Sequence, residues 1–233
     1  VKRSSVLTPE PRVGQMEVRR DRSQMHMKNV TEGRLVTKEG EDLEFDGDDA
    51  IYHYYLKKLA TDGRSRIKNA DMELTARRFL FDQESHQLKV SGSVTGTLGG
   101  GKVEADDLTY NTSNKKASAS NVHWKGSLPD VQGQQKNVWD IRGATFESEG
   151  DVNTYTDARA SDGEVIVVAE RVEYNKKTDV LVAKGKVNYW GLDADMKCAE
   201  ATVYRKERRA VMTGVVRMFL KSDEEKVLKE TPI

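Results

Sequence analysis

The chain has 233 residues, of which 36% are hydrophobic and 33% are Asp, Glu, Lys or Arg, a charged share well above the usual ~25%. Hydrophobic residues and the 18 glycines together come close to the ~45–50% of an ordinary globular domain, which excludes a disordered chain. Thirty-eight basic residues balance 38 acidic ones, which removes the electrostatic ground for a nucleic-acid binder or a polybasic membrane-surface protein.

Residues 1–13 hold Pro9 and Pro11, two of only four prolines, and read as a flexible N-terminal tether. The sequence opens Val1, Lys2, Arg3, Ser4 rather than on Met, so a signal peptide or inner-membrane anchor is expected upstream. No run approaches the ~18 apolar residues of a transmembrane helix; Val165 to Ala169 is among the longest. From residue 14 to 220 apolar and polar residues alternate with the period of a half-buried strand. Leu88, Val90, Gly92 and Val94 interleave with Lys89, Ser91, Ser93 and Thr95. Leu181, Ala183, Gly185, Val187 and Tyr189 do the same, as do Ala210, Met212, Gly214, Val216 and Met218. Turn signals separate these runs at Asp82 to Ser85, Gly99 to Gly101, Asn111 to Lys115, Asn175 to Thr178 and Lys206 to Arg208, and predict hairpins. Tyr52 to Ala60 and Asp223 to Glu230 have spacing for about two helical turns each. Residues 221–233 form a charged C-terminal tail.

A repeat runs through the alternation: alanine, an aromatic five residues on, Gly or Asn eleven residues later, then a short apolar strand. Its copies are Ala76, Phe81, Gly92, Val94; Ala105, Tyr110, Asn121, Val122; Ala169, Tyr174, Gly185, Val187; and, one residue shorter, Ala199, Tyr204, Gly214, Val216. Between Ala105 and Ala169 there is room for a degenerate copy around Trp139 to Thr156, and Ala50, Tyr55 and Gly63 read as a worn one. A period near 30 residues of strand, turn, strand predicts stacked hairpins that cannot bury their apolar face singly. The Gly or Asn predicts a bulge that bends the sheet, so the dry face is covered by folding into a sandwich, jelly roll or open barrel.

The segments AERVEYNKKTDVLVAKGKVNYW (Ala169 to Trp190) and ADMKCAEATVYRKERRAVMTG (Ala194 to Gly214) resemble the OstA-like repeat of the lipopolysaccharide-transport proteins LptA, LptC and the N-terminal domain of LptD. Ala169, Tyr174, Leu181, Ala183, Gly185 and Val187 carry the match, which extends over residues 70–125 and 160–220. The resemblance implies an all-β, elongated antiparallel β-jelly roll, the β-taco, over residues 14–220, divisible into LptC-like 14–125 and LptA-like 126–220 portions. It further implies a periplasmic carrier or bridge, soluble or anchored at the inner membrane, whose interior shields the acyl chains of lipopolysaccharide or a related envelope lipid. Each exposed CH₂ costs ~0.8 kcal/mol, so a dry groove removes a barrier of tens of kcal/mol for a multi-chain lipid. The implied partners are homologous jelly-roll proteins paired through edge strands, copies of the chain itself and, indirectly, an inner-membrane ABC transporter; no cofactor is implied. The interior residues expected to line the groove are Leu88, Val90, Val94, Leu108, Tyr110, Tyr174, Leu181, Val187, Tyr189, Met212, Val216 and Met218.

Other chemistry is weaker. Leu98 to Lys102 (LGGGK) lacks the spacing of a phosphate loop and reads as a hairpin turn. His26, His53, His86 and His123 are too scattered for a predictable metal site, and the single Cys198 reads as a core residue. The acidic group Glu41, Asp42, Glu44, Asp46, Asp48 and Asp49 misses the calcium-loop register. Asn29-Val30-Thr31 and Asn111-Thr112-Ser113 are sequons without meaning in a periplasmic protein. Lys184, Lys186, Arg205, Lys206, Arg208, Arg209 and Arg217 either touch lipid phosphates at a groove rim or keep the sheet soluble. A polymerising β-solenoid scaffold and an enzyme with two converging carboxylates stand as alternatives.

Overall fold

The computed structural model describes residues 12–19, 22–36, 42–127, 138–192, 194–204, 206–207, 209–214 and 216–221. Most of the expected tether, the tail beyond Lys221 and the expected helix at 223–230 lie outside the described residues. The rest is antiparallel β-structure: sixteen strands and no α-helix among the described residues.

Two compact units divide the chain, Val1–Asn121 and Val122–Ile233. Unit 1 holds β1 (Arg12–Arg19), β2 (Gln24–Val36), β3 (Asp42–His53), β4 (Lys58–Lys68), β5 (Met72–Ala76), β6 (Arg78–Asp82), β7 (Gln87–Leu98) and β8 (Gly101–Asn111). Strand β9 (Ala117–Ser127) crosses the boundary. Unit 2 continues with β10 (Val138–Glu149), β11 (Val152–Ser161), β12 (Ile166–Asn175), β13 (Val180–Trp190), β14 (Ala194–Tyr204), β15 (Arg209–Thr213) and β16 (Arg217–Leu220). Within each unit, successive strands pair as a meander. In unit 1, β5 and β6 share the place between β4 and β7, two halves of a strand interrupted at Arg77. In unit 2, β15 and β16 both pair with β14.

The predicted turns at 82–85, 99–101, 111–115 and 175–178 all fall between paired strands. Tyr52 to Ala60 is a hairpin and not a helix. Tyr52 stands opposite Leu59, both buried, because strand alternation continues through the segment while a helix of nine residues is marginal by itself.

The repeat has a backbone cause. Gly63, Gly92, Asn121, Asp157, Gly185 and Gly214 all have positive φ, between 45° and 91°. Registers slip by one residue at several of these points, between Ser91 and Val94 on β7 and between Lys184 and Val187 on β13. These are bulges that bend the return strand of each hairpin. At Gly185 a Cβ would stand 2.8 Å from the Cβ of Glu170, fifteen residues earlier on the neighbouring strand, and Gly92 meets Arg77 at 2.9 Å in the same relation. Carboxylates tie several bulges down. Asp48 accepts from the Arg64 N–H at 2.8 Å, Asp46 from the Glu32 N–H at 2.8 Å, and Glu170 holds Lys186 at 2.7 Å. Asp46 and Asp48, from the acidic cluster that raised calcium, are part of this device.

Two copies need correction. The aromatic lying eleven residues before Gly63 is Tyr52, buried, whereas Tyr55 sits in the turn, 83% exposed. The degenerate copy has Phe146 as its aromatic and Asp157 as its bulge. An aspartate tolerates the left-handed conformation better than most residues, so no glycine marks the spot.

Candidate functional site

Because side chains alternate across each strand, in-register partners form rows on one face of the sheet. In unit 1 one row runs Tyr52, Leu59, Phe81, Leu88, Tyr110. A second runs Met27, Ala50, Thr61, Phe79, Val90, Leu108. Every member is buried, and among the described residues all the largest fully buried side chains, Phe45, Phe79 and Phe81 first among them, belong to this unit. Thr61 is satisfied there by accepting from the Phe79 N–H. Unit 1 has a filled core.

The corresponding rows of unit 2 are built differently. One runs Phe146, Tyr155, Val172, Ala183, Ala201, Met212. The other runs Ile141, Ala160, Val167, Tyr189, Met196, Met218. Large rings pack at one end, Phe146 against Tyr155 with centroids 5.0 Å apart, and burial pushes the Tyr155 hydroxyl's pKa upward. Further along, the buried members are Val172, Ala183 and Ala201 in the first row and Ala160 in the second, and Ala158 and Ala169, which stand opposite each other beside these rows, are buried too. The larger ones, Leu181, Tyr189, Met196 and Met212, are only half-buried. Cys198 lies opposite Val187, and burial raises its thiol pKa despite the Glu200 N–H.

The twelve expected interior residues therefore fall into two groups. Leu88, Val90, Val94, Leu108 and Tyr110 are at most 3% exposed in the core of unit 1. Tyr174 and Val187 are buried in unit 2, while Leu181, Tyr189 and Met212 are half-buried there. Two tyrosine hydroxyls have structural partners: Tyr174 donates to Asp179 at 2.9 Å and Tyr110 to Asp71 at 3.3 Å. Val216 and Met218 are exposed by 43% and 54%, contrary to the interior position expected for them. The reason is the interruption after Gly214: the predicted single strand is two pieces, and Val216 belongs to neither. Met218 keeps its inner register but ends the row on an edge strand.

Sequence reasoning missed Trp139 and Ile141. They share the inner face of β10, and the buried Trp139 indole N–H has no hydrogen-bond partner among the described residues. The missing signal was the Asp157 copy, which would have put Phe146 and Ile141 in phase with Tyr174 and Ala169.

The alternative sites resolve into structure. Gly99 and Gly100 form the β7–β8 turn. His123 Nε2 lies 3.0 Å from Asp140, and His26 bonds Gln24. No group of three or more His, Cys, Asp or Glu converges as a metal site among the described residues. Of the basic positions, Lys184 faces Glu200 at 3.9 Å and Lys186 faces Glu170, while Arg209 pairs with Glu207 and stacks 4.1 Å over the Tyr204 ring. Lys206 donates to the Lys177 carbonyl; Arg205 and Arg208 lie outside the described residues.

No family model and no curated protein matches the chain. Among solved structures it is similar to LptH of Pseudomonas aeruginosa, the LptA-homologous periplasmic component of the conserved lipopolysaccharide transport device. Identity is 10%, the match covers 65% of this chain and 95% of that one, and the TM-score is 0.34. A likeness that loose carries no weight for fold or function. No helix among the described residues is long and apolar enough to cross a membrane.

Proposed function

We propose that the chain is a periplasmic lipid carrier or bridge component, and that the inner rows of unit 2 take the acyl chains of lipopolysaccharide or a related envelope lipid. The observation that carries this reading is the composition of those rows. They combine the small buried Ala160, Ala183 and Ala201 with half-buried Tyr189, Met196 and Met212, Leu181 lies half-buried in the neighbouring row, and one row ends at Met218 on the edge strand. A core meant only for stability is filled by larger residues, as in unit 1. The motif from Ala169 to Val187, with its likeness to OstA-like repeats, supports the same reading. The unpartnered Trp139 N–H suits an ester or amide carbonyl at the head of an acyl chain.

Edge strands supply the bridging half of the proposal. Strand β16 exposes Met218, Phe219 and Leu220, and β1 exposes Met16 and Val18. Such edges pair with further strands, here those of homologous jelly-roll proteins or of another copy. Photo-crosslinkers at Leu181, Val187 and Met212 in cells test the reading. Lipid adducts from these positions and none from outward Lys184 are expected; labelling from Lys184 alone contradicts it. Concentration-dependent filaments with an interior that labels no lipid favour the scaffold alternative.

A further inference from the structure

The outer face of unit 2 carries a second row, running Arg142, Arg159, Val168, Asn188, Lys197, Arg217 across six strands. Arg142 stands directly opposite Arg159, and Lys197 directly opposite Arg217. Like charges in direct cross-strand opposition destabilise a sheet unless something neutralises them. Elsewhere the protein supplies that neutraliser. Arg171 opposes Lys184, but Arg171 bonds Glu173 at 2.7 Å and Lys184 faces Glu200. Along the outer row the only such contact among the described residues is Arg142 Nε to Asp140 at 3.6 Å. Arg159, Lys197 and Arg217 have no ion-pair partner among the described residues.

Arg142 and Arg159 also share a cavity of about 630 Å³ with Lys125, Val138, Asp140, Ser161, Asp162 and Gly163. Its two carboxylates are already engaged. Asp140 is 3.0 Å from His123, and Asp162 accepts the Glu164 and Val165 N–H groups of the β11–β12 turn at 3.1 and 2.8 Å. Lys125, also without an ion-pair partner among the described residues, completes a group of three cations around an open concavity.

We propose that this cavity is an oxyanion site of the phosphate class, in which Arg142 and Arg159 grip the anion as a fork from two strands and Lys125 closes on it as a point charge. Guanidinium groups match phosphate geometry through paired N–H donors, which the ammonium of lysine does not. Bridging by an anion turns the opposition of Arg142 and Arg159 from a cost into a preorganised site. The phosphate belongs either to the headgroup of an amphiphile or to a free ion. Because the site is on the outer face, a failed interior crosslinking assay leaves it standing.

The full chain is titrated with inorganic phosphate in low-salt buffer, followed by calorimetry and by melting temperature. Saturable binding is expected, weakened at least tenfold by R159Q or R142Q and partly retained by R159K. In phosphate-free buffer R159Q melts no lower than the parent chain, because a repulsion has been removed; this separates loss of a ligand group from loss of folding. A second arm compares a monoacyl phosphate amphiphile with the uncharged monoacylglycerol of the same chain length. Arg159-dependent preference for the phosphorylated amphiphile over inorganic phosphate assigns the headgroup as the source, and equal affinity assigns the free ion. Absence of saturable binding in both arms, or binding that R159Q and R142Q leave unchanged, overturns the proposal.

Discussion

The two units use one repeat to opposite ends. Position by position, Leu88, Val90 and Gly92 of unit 1 correspond to Leu181, Ala183 and Gly185 of unit 2, each pair 93 residues apart and each at the same place before a bulge. In unit 1 the leucine is fully buried beneath Phe81 and Tyr110; in unit 2 its counterpart is half-exposed beside Tyr174 and Val203. The backbone device is shared, and the side chains across the strands decide whether the inner face is buried throughout or left half-exposed. One unit supplies rigidity, and the other is proposed to hold the lipid.

The largest expected effect comes from the matched truncation. Leu88→Ala removes a fully buried side chain from a filled core and should cost about 3 kcal/mol, while Leu181→Ala, at a position only partly shielded from solvent, should cost less, about 1–2 kcal/mol. Denaturant unfolding read by far-UV circular dichroism measures both. Tryptophan fluorescence isolates unit 2, since Trp124, Trp139 and Trp190 all lie there. Equal costs would break the comparison.

Enlargement sharpens it. Ala183→Leu adds volume where unit 1 has Val90. In a filled core that change costs ~1–3 kcal/mol, whereas a path with room should accept it for about 1 kcal/mol or less and lose acyl-chain affinity at least tenfold. Competition with a fluorescent fatty acid reads the affinity.

The smallest effect is electrostatic and confined to unit 1. Lys115 Nζ, 2.8 Å away, and the Tyr110 hydroxyl hold the Asp71 carboxyl below the usual aspartate range. A depressed folded-state pKa contributes stability that is present above the unfolded value, near pH 4, and lost as pH falls through the folded one. The pair is half-exposed, so the contribution is small. Carboxyl-detected NMR should give a midpoint for Asp71 below that of an unfolded peptide, and Lys115→Gln should raise it.

Much of this was legible in the sequence for identifiable reasons. Period-two alternation at Leu88 to Val94 and Leu181 to Tyr189 marked inner and outer faces, and four of the bulges were announced by Gly92, Asn121, Gly185 and Gly214. The Asp157 bulge was hidden because aspartate replaces glycine and because the interval from Asn121 is 36 residues, against 28 or 29 elsewhere. Val216 was misplaced because alternation cannot show that a strand stops at Gly214. The small residues Ala183, Gly185 and Gly214 hinted at interior space, but the contrast between the buried rows of unit 1 and the half-exposed rows of unit 2 was not legible. It depends on which residues meet across strands, as Ala183 meets Ala201 while Phe81 meets Leu88, and registers are set by the bulges.

Quenching by brominated acyl chains tests the central claim most directly. A chain keeping only Trp139, with Trp124→Phe and Trp190→Phe, places the probe on the inner face of β10; a second, also carrying Trp139→Phe and Phe81→Trp, places it in the core of unit 1. Saturable quenching of Trp139 and none at position 81 is the predicted result. Trp139 emission unchanged by the lipid in the folded chain, or quenched no more than position 81, would contradict a lipid path through unit 2.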